Sequence, residues 1–200
     1  MNKNESKYFN TASKMDEALI ALLEKKDFEY ITIKEICELA GVNRSTFYLH
    51  YDNTVDLLQE TTRYILDKHF SYYQVQGQEL PYSLENCKQG DLLFVSREYL
   101  YPYLTFVKEN QRLFKVAIRN FHVMKLYEVY AKLFQGVFDP LLARFHIPQK
   151  NRAYMMKFYL SGITAIVMEW LNNGCRDDLD DIADIIMDCV MGEKPSSSGQ

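Results

Sequence analysis

"TIKEICELAGVNRSTFYLHY", Thr32 to Tyr51, decides how the rest of this chain is read. Thr32-x-x-Glu35 is the spacing of a capping box, in which each side chain satisfies the other's backbone at a helix start. Ile33, Ile36, Leu39 and Ala40 then recur at helical spacing and form an apolar face. Gly41 supplies the left-handed residue that ends such a helix. Asn43 follows as the N-cap of a short helix through His50. Helix, glycine turn and helix is the layout of a helix-turn-helix DNA reader.

In that layout the front of the second helix enters the major groove while the first crosses the backbone. The front residues here are Asn43, Arg44, Ser45 and Thr46. Arginine can bridge guanine O6 and N7, and Ser or Thr can reach base edges or the thymine methyl. Tyr48, four residues after Arg44, shares its face and brings a phenol to the phosphates. Thr32 offers a hydroxyl and helix N-terminal amides to another phosphate. The register therefore sends Thr32, Arg44, Ser45, Thr46, Tyr48 and His50 toward DNA. Ile33, Ile36, Leu39, Phe47 and Tyr51 are left to hold the motif together.

Outward from this stretch the sequence is helical throughout. Met15, Ala18, Leu19, Leu22 and Leu23 form a stripe over 11–26, and a fourth helix is predicted from Asn53 to about Tyr73. Residues 76–90, with Gly77, Pro81 and Gly90, read as a loop. Further helices are predicted over 91–109, 111–120, 123–145, 151–173 and 178–191. Pro102 should kink or divide the first of these, and Pro140 interrupts the third unless Asp139-Pro140 opens a new turn. The tail Lys194 to Gln200 reads as disordered. The expectation is an all-α fold of about nine helices. A helix-turn-helix unit spans 1–52 and a helical regulatory body 53–192, with 53–74 as linking helix and 193–200 as tail.

Composition sets the bounds. The chain has 200 residues, 48% hydrophobic and 25% charged, with a formal charge of −4. These are soluble globular values for one large or two small domains. Basic and acidic residues nearly balance through His50, so the pattern and not the net charge points to DNA. No apolar run suits a membrane span and the start is no secretory signal, so a cytoplasmic protein is expected. Cys37, Cys87, Cys175 and Cys189 form no Cys-x-x-Cys pair and read as buried thiols. With no metal-ligand spacing among the histidines, no cofactor or metal is expected. No Ser/His/Asp order, phosphate loop or close carboxylate pair supports an enzyme.

At this point the stretch resembles the TetR/AcrR family of bacterial transcription regulators. The family pattern is met by Thr32, Ile36, Ala40, Gly41, Val42, Thr46, Phe47, Tyr48 and His50, with Tyr51 in a phenylalanine position. One departure is Asn53-Thr54-Val55-Asp56-Leu57-Leu58, where Thr54 replaces a lysine that the family uses on phosphate. The C-terminal "YLSGITAIVMEWLNNG", Tyr159 to Gly174, and the acidic-capped helix after it look like the sensor subgroup of the dihydroxyacetone kinase regulators. The resemblance implies a homodimer built on these last two helices. Gly162 and Ala165 would allow close approach, and Ile166, Ile182, Ile186 and Val190 would form an apolar seam. The acidic run Asp177, Asp178, Asp180 and Asp181 is read as a helix N-terminus.

The body is rich in aromatics, among them Tyr99, Tyr101, Tyr103, Phe106, Phe114, Phe121, Tyr127, Tyr130, Phe134, Phe138 and Tyr154. They would suit an apolar or aromatic small-molecule effector, with His122, Arg119 and Glu169 as candidate polar contacts. The family resemblance thus implies a repressor on a palindromic double-stranded DNA operator. A second reading keeps the DNA reader and gives the body to a protein partner.

Overall fold

A computed structural model describes residues 3–75, 97–126, 128, 139–144 and 146–191. The predicted loop over 76–90, the tail, and most of the predicted helix over 123–145 lie outside them. Among the described residues every regular element is helical: α1 Lys3–Leu23, a 3-10 turn Phe28–Tyr30, α2 Ile33–Ala40, α3 Arg44–Tyr48, α4 Thr54–Val75, α5 Arg97–Glu109, α6 Gln111–Arg119, α7 Asp139–Arg144, α8 Gln149–Asn172 and α9 Leu179–Met191. None is long and apolar enough to cross a membrane.

The chain divides into two compact units. The first joins Met1–Lys68 to Arg112–Glu128, and the second joins His69–Gln111 to Val129–Gln200. The linking helix α4 is therefore shared at Lys68 and His69, and α6 belongs with the N-terminal helices although 43 intervening residues, 69 to 111, do not.

In the first unit, α1 buries Met15, Leu19, Ile20 and Leu23, α2 buries Ile36 and Cys37, and Phe47 of α3 is fully enclosed. Each such side chain contributes about 1.5–3 kcal/mol on burial. Tyr51, Leu57, Leu58 and Ile65 complete this core, and α6 brings Leu113, Phe114, Val116 and Ala117 to it. Arg112 fastens α6 to α1 through Glu17 at 3.0 Å and Glu24 at 2.9 Å. Arg119 donates to the Glu24 carbonyl at 2.9 Å, at the end of α1, where a cation also complements the helix dipole. Inside the core, Asp16 of α1 accepts a 2.6 Å hydrogen bond from Thr61 of α4.

In the second unit, Leu100, Leu104, Phe106 and Val107 of α5 are buried, as are Val167, Trp170 and Leu171 of α8 and Ile182, Ala183 and Ile186 of α9. Pro102 lies inside α5, which runs unbroken from Arg97 to Glu109. Pro140 lies in α7, and the residues before Asp139, where the predicted helix over 123–145 would be interrupted, lie outside the described ones. Helix α8 closes with Gly174 at φ 74° and Trp170 Nε1 donating to the Asp177 carbonyl at 3.1 Å. Asp180, in the first turn of α9, also pairs with Arg97 and Tyr101, while Asp184 takes the other arm of Arg97 at 2.5 Å. The acidic run thus serves as a helix start and as a clamp to α5. Of the cysteines, Cys37 and Cys175 are buried but Cys189 is exposed, which the sequence pattern did not separate.

Candidate nucleic-acid interface

Thr32 caps α2 as its spacing predicts. Its hydroxyl oxygen accepts from the Glu35 amide at 3.3 Å, and its own amide donates to Glu35 Oε2 at 3.0 Å. The Thr32 hydroxyl also donates to Glu35 Oε2 at 2.8 Å. Lys26 reaches the other carboxylate oxygen at 2.6 Å and the Tyr30 carbonyl at 2.7 Å. These donors, Lys26 first and Thr32 next, hold the Glu35 carboxyl down at about 2. Thr32 therefore does not offer free donors to a phosphate, as its position suggested. The donors are engaged by Glu35, which leaves the Ile33 and Lys34 amides of the first turn without intrahelical acceptors.

The turn is set by Gly41 at φ 67°, ψ 35°, with its amide and that of Val42 both donating to the Cys37 carbonyl. This two-bond closure satisfies the end of α2 and re-aims the chain. Asn43 then caps α3. Its Oδ1 accepts from the Thr46 amide at 2.8 Å, the Thr46 hydroxyl at 2.8 Å and the Ser45 hydroxyl at 2.6 Å. One carbonyl oxygen thus gathers three donors and orients both hydroxyls. With their hydrogens turned inward, Ser45 and Thr46 present acceptor lone pairs outward, suited to the amino groups of adenine and cytosine. Asn43 positions this pair, since its own acceptor is spent.

Helix α3 is short, and Phe47 anchors it from below while Arg44, Ser45 and Tyr48 are exposed. Arg44 has no hydrogen bond or ion pair with the described residues, so its guanidinium is uncommitted. Tyr48 stands edge-on to Phe47 with ring centroids 5.6 Å apart, which fixes the direction of its phenol. Asn53 caps α4 through the amides of Val55 and Asp56 at 2.8 and 3.1 Å. Thr54, in the place of the family's lysine, is the first residue of that helix.

Two assignments made from register are corrected. His50 is half-buried and stacks on Tyr8 of α1 at 3.9 Å with a 20° interplanar angle. Its Nδ1 is buried without a partner among the described residues, and burial lowers its pKa. It packs the reader together instead of facing outward, because α3 ends at Tyr48 and helical periodicity stops before His50. Leu39 goes the other way, exposed although its spacing placed it in the core.

The proposed dimer helices show a similar division. On α8, Tyr154 (80% exposed) and Phe158 (67%) share a face with exposed Gly162 and Ala165. A Cβ at Gly162 would meet nothing within 4 Å, so the glycine is not required by its own protomer. Ile166 and Val190 are half-buried. Ile182 and Ile186, expected in the seam, are 3% and 0% exposed and pack within the protomer. A side chain with no accessible surface has none to give a partner. Ile185 is the exposed isoleucine of α9. Sequence reasoning missed Tyr8, Lys26, Asp16 and Arg112, whose roles depend on partners distant along the chain.

Comparison with known proteins agrees with this architecture. Residues 17–61 match the family model described as bacterial regulatory proteins, tetR family, and residues 96–192 match one described as transcriptional regulator C-terminal region. Over 168 residues the chain is 29% identical to an uncharacterised HTH-type transcriptional regulator, YxbF, of Bacillus subtilis (strain 168). That match covers 80% of this chain and 39% of YxbF, so the chain spans well under half the length of this curated relative. Among solved structures, the fatty acid degradation regulator FadR of Bacillus halodurans superposes with a TM-score of 0.57 at 12% identity, covering 94% of this chain and 96% of that one. At that identity the likeness concerns the fold. The dihydroxyacetone kinase operon activator DhaS gives a TM-score of 0.45 at 16% identity over 92% of this chain and 95% of that one, too low to carry an argument.

Proposed function

Since the chain belongs to the TetR family of transcriptional regulators, we propose that it acts in the cytoplasm as a homodimeric repressor. It binds a palindromic operator through α3 and is released by an effector held in the C-terminal unit. The observation that carries this reading is the front of α3. Arg44, Ser45 and Tyr48 are exposed together on a helix fixed by the Asn43 cap and the buried Phe47.

In this reading the exposed α8 face, with Tyr154, Phe158, Gly162 and Ala165, meets its symmetry mate, and Ile185 of α9 adds to the contact. A two-fold dimer places its reading helices about 34–36 Å apart, one DNA turn, so that both half-sites are read at once. An effector weakens DNA binding by its differential affinity for protomer arrangements that keep or lose that separation. Thr54 brings no charge to the phosphates, so the dimer lacks two charge-assisted contacts and its affinity falls less steeply with salt.

Fluorescence anisotropy with a duplex from the gene's own upstream region tests this. Arg44→Ala should cost about 1–3 kcal/mol per half-site and relax discrimination against unrelated DNA. Tyr48→Phe should weaken all duplexes alike. Unchanged binding in both variants would sink the assignment.

A further inference from the structure

His69 is the exception to polar pairing where α4 meets α5 in the second unit. Its imidazole is 6% exposed. It lies against the rings of Phe106, Phe70, Tyr73 and Tyr103, with centroids 4.8, 5.4, 5.6 and 5.8 Å away. Its Nε2 is buried and has no hydrogen-bond partner among the described residues. The neighbouring polar groups are paired. Tyr72 donates to Glu109 at 2.6 Å and accepts from Asn110 at 2.8 Å, and Asn110 also donates to the Phe106 carbonyl at 3.1 Å. Native interiors pair nearly all their buried polar atoms, so an orphan of this kind calls for a reason. A residue serving only to fill space among four rings would be phenylalanine or leucine, which leave nothing unpaired.

We propose that His69 Nε2 is the hydrogen-bonding anchor for the effector, a neutral and mainly aromatic or aliphatic molecule carrying one hydroxyl. This rests on the effector-controlled reading above and gives its ligand a chemistry. The rings of Phe70, Tyr73, Tyr103 and Phe106 set the apolar character of the molecule. Burial holds the His69 pKa at about 4, so the imidazole is neutral at pH 7 and offers an anion no counter-charge. In the neutral ring Nε2 is either a donor or an acceptor, according to tautomer. A hydroxyl, which both donates and accepts, pairs with either one. The Glu109 carboxylate, which accepts the Tyr72 hydrogen bond, disfavours an anionic ligand further.

Calorimetric titration of the full-length protein with 4-propylphenol and with propylbenzene reads this directly. A site built to pair a hydroxyl discriminates against the analogue lacking it. The wild type should bind the phenol at least about tenfold more tightly. His69→Phe should keep its affinity for propylbenzene and reduce that preference to about twofold or less. If His69→Phe fails to fold by circular dichroism, His69→Leu is read in the same way. Equal affinities in the wild type, a preference that survives both substitutions, or no binding of either probe up to its solubility limit overturns the proposal. The same samples titrated with the upstream duplex separate the two ideas. DNA binding without hydroxyl preference removes only the anchor. A His69-dependent preference in a protein that binds no duplex removes the repressor and leaves the site.

Discussion

The N-terminal reader and the C-terminal unit use apolar side chains in opposite ways. In the reader, Phe47, Ile36 and the α1 stripe are enclosed, and what α3 turns outward is mostly polar or amphipathic: Arg44, Ser45 and Tyr48. In the second unit, α8 turns outward Tyr154 and Phe158 together with the small residues Gly162 and Ala165. The first surface suits a hydrated, charged partner. The second is the kind of apolar face that a protein partner covers. One chain thus carries a surface finished by its own caps and a second surface on which apolar side chains are left open.

Phe47→Ala empties the centre of the reader and should cost about 3–5 kcal/mol in urea unfolding, with DNA binding lost alongside. Ala165→Glu places a charge on the outward α8 face. It should leave protomer stability nearly unchanged while weakening self-association by about a hundredfold in sedimentation velocity, an interface hot-spot effect. A protein whose association state ignores Ala165→Glu would show that this face is not where protomers meet.

A pH titration probes the interior of the reader. Burial, only partly offset by the Thr61 hydrogen bond, raises the Asp16 carboxyl from 3.8 to about 6. Glu60 and Glu17 push the same way and Arg63 opposes them. The native state then holds this proton more tightly than the unfolded chain. The stability it confers is complete below about pH 4 and is lost as pH rises through 6. Asp16→Asn should remove about 2–3 kcal/mol of that decline between pH 4 and 7, measured by urea midpoints. A wild-type slope that persists in Asp16→Asn would assign the titration elsewhere. The smallest expected effect is Asn43→Ala, about 1 kcal/mol of stability for a lost cap. It should disturb operator discrimination more than that figure suggests, because the Ser45 and Thr46 hydroxyls lose the acceptor that orients them.

Much of the reader was legible because its signals are short-range. The Thr32–Glu35 box, Gly41 and the Asn43 cap each act within four residues, and Phe47 follows from the register they set. Where local rules end, sequence reading misplaced residues. Beyond Tyr48 the helix stops, so a helical projection carried His50 outward when it stacks on Tyr8. In α9 the isoleucines fall at 182, 185 and 186, and periodicity cannot say which of them face the protomer's own α5 and which face outward. Ile182 and Ile186 took the inside, and Ile185 the outside. The Asp16–Thr61 bond joins residues 45 apart in sequence, and no pattern within either helix announces it.

The attachment of α6 to α1 has a consequence for how the protein is made. Arg112 and Arg119, together with the buried face of α6, complete a unit whose first 68 residues are synthesised long before them. At about 5–20 residues per second, translation from Lys68 to Glu128 takes roughly 3–12 s. Throughout that interval the nascent reader has its helix-turn-helix but not its last supporting helix. The unit is therefore completed late in synthesis, and a fragment cut at Lys68 would be a permanent version of that unfinished state.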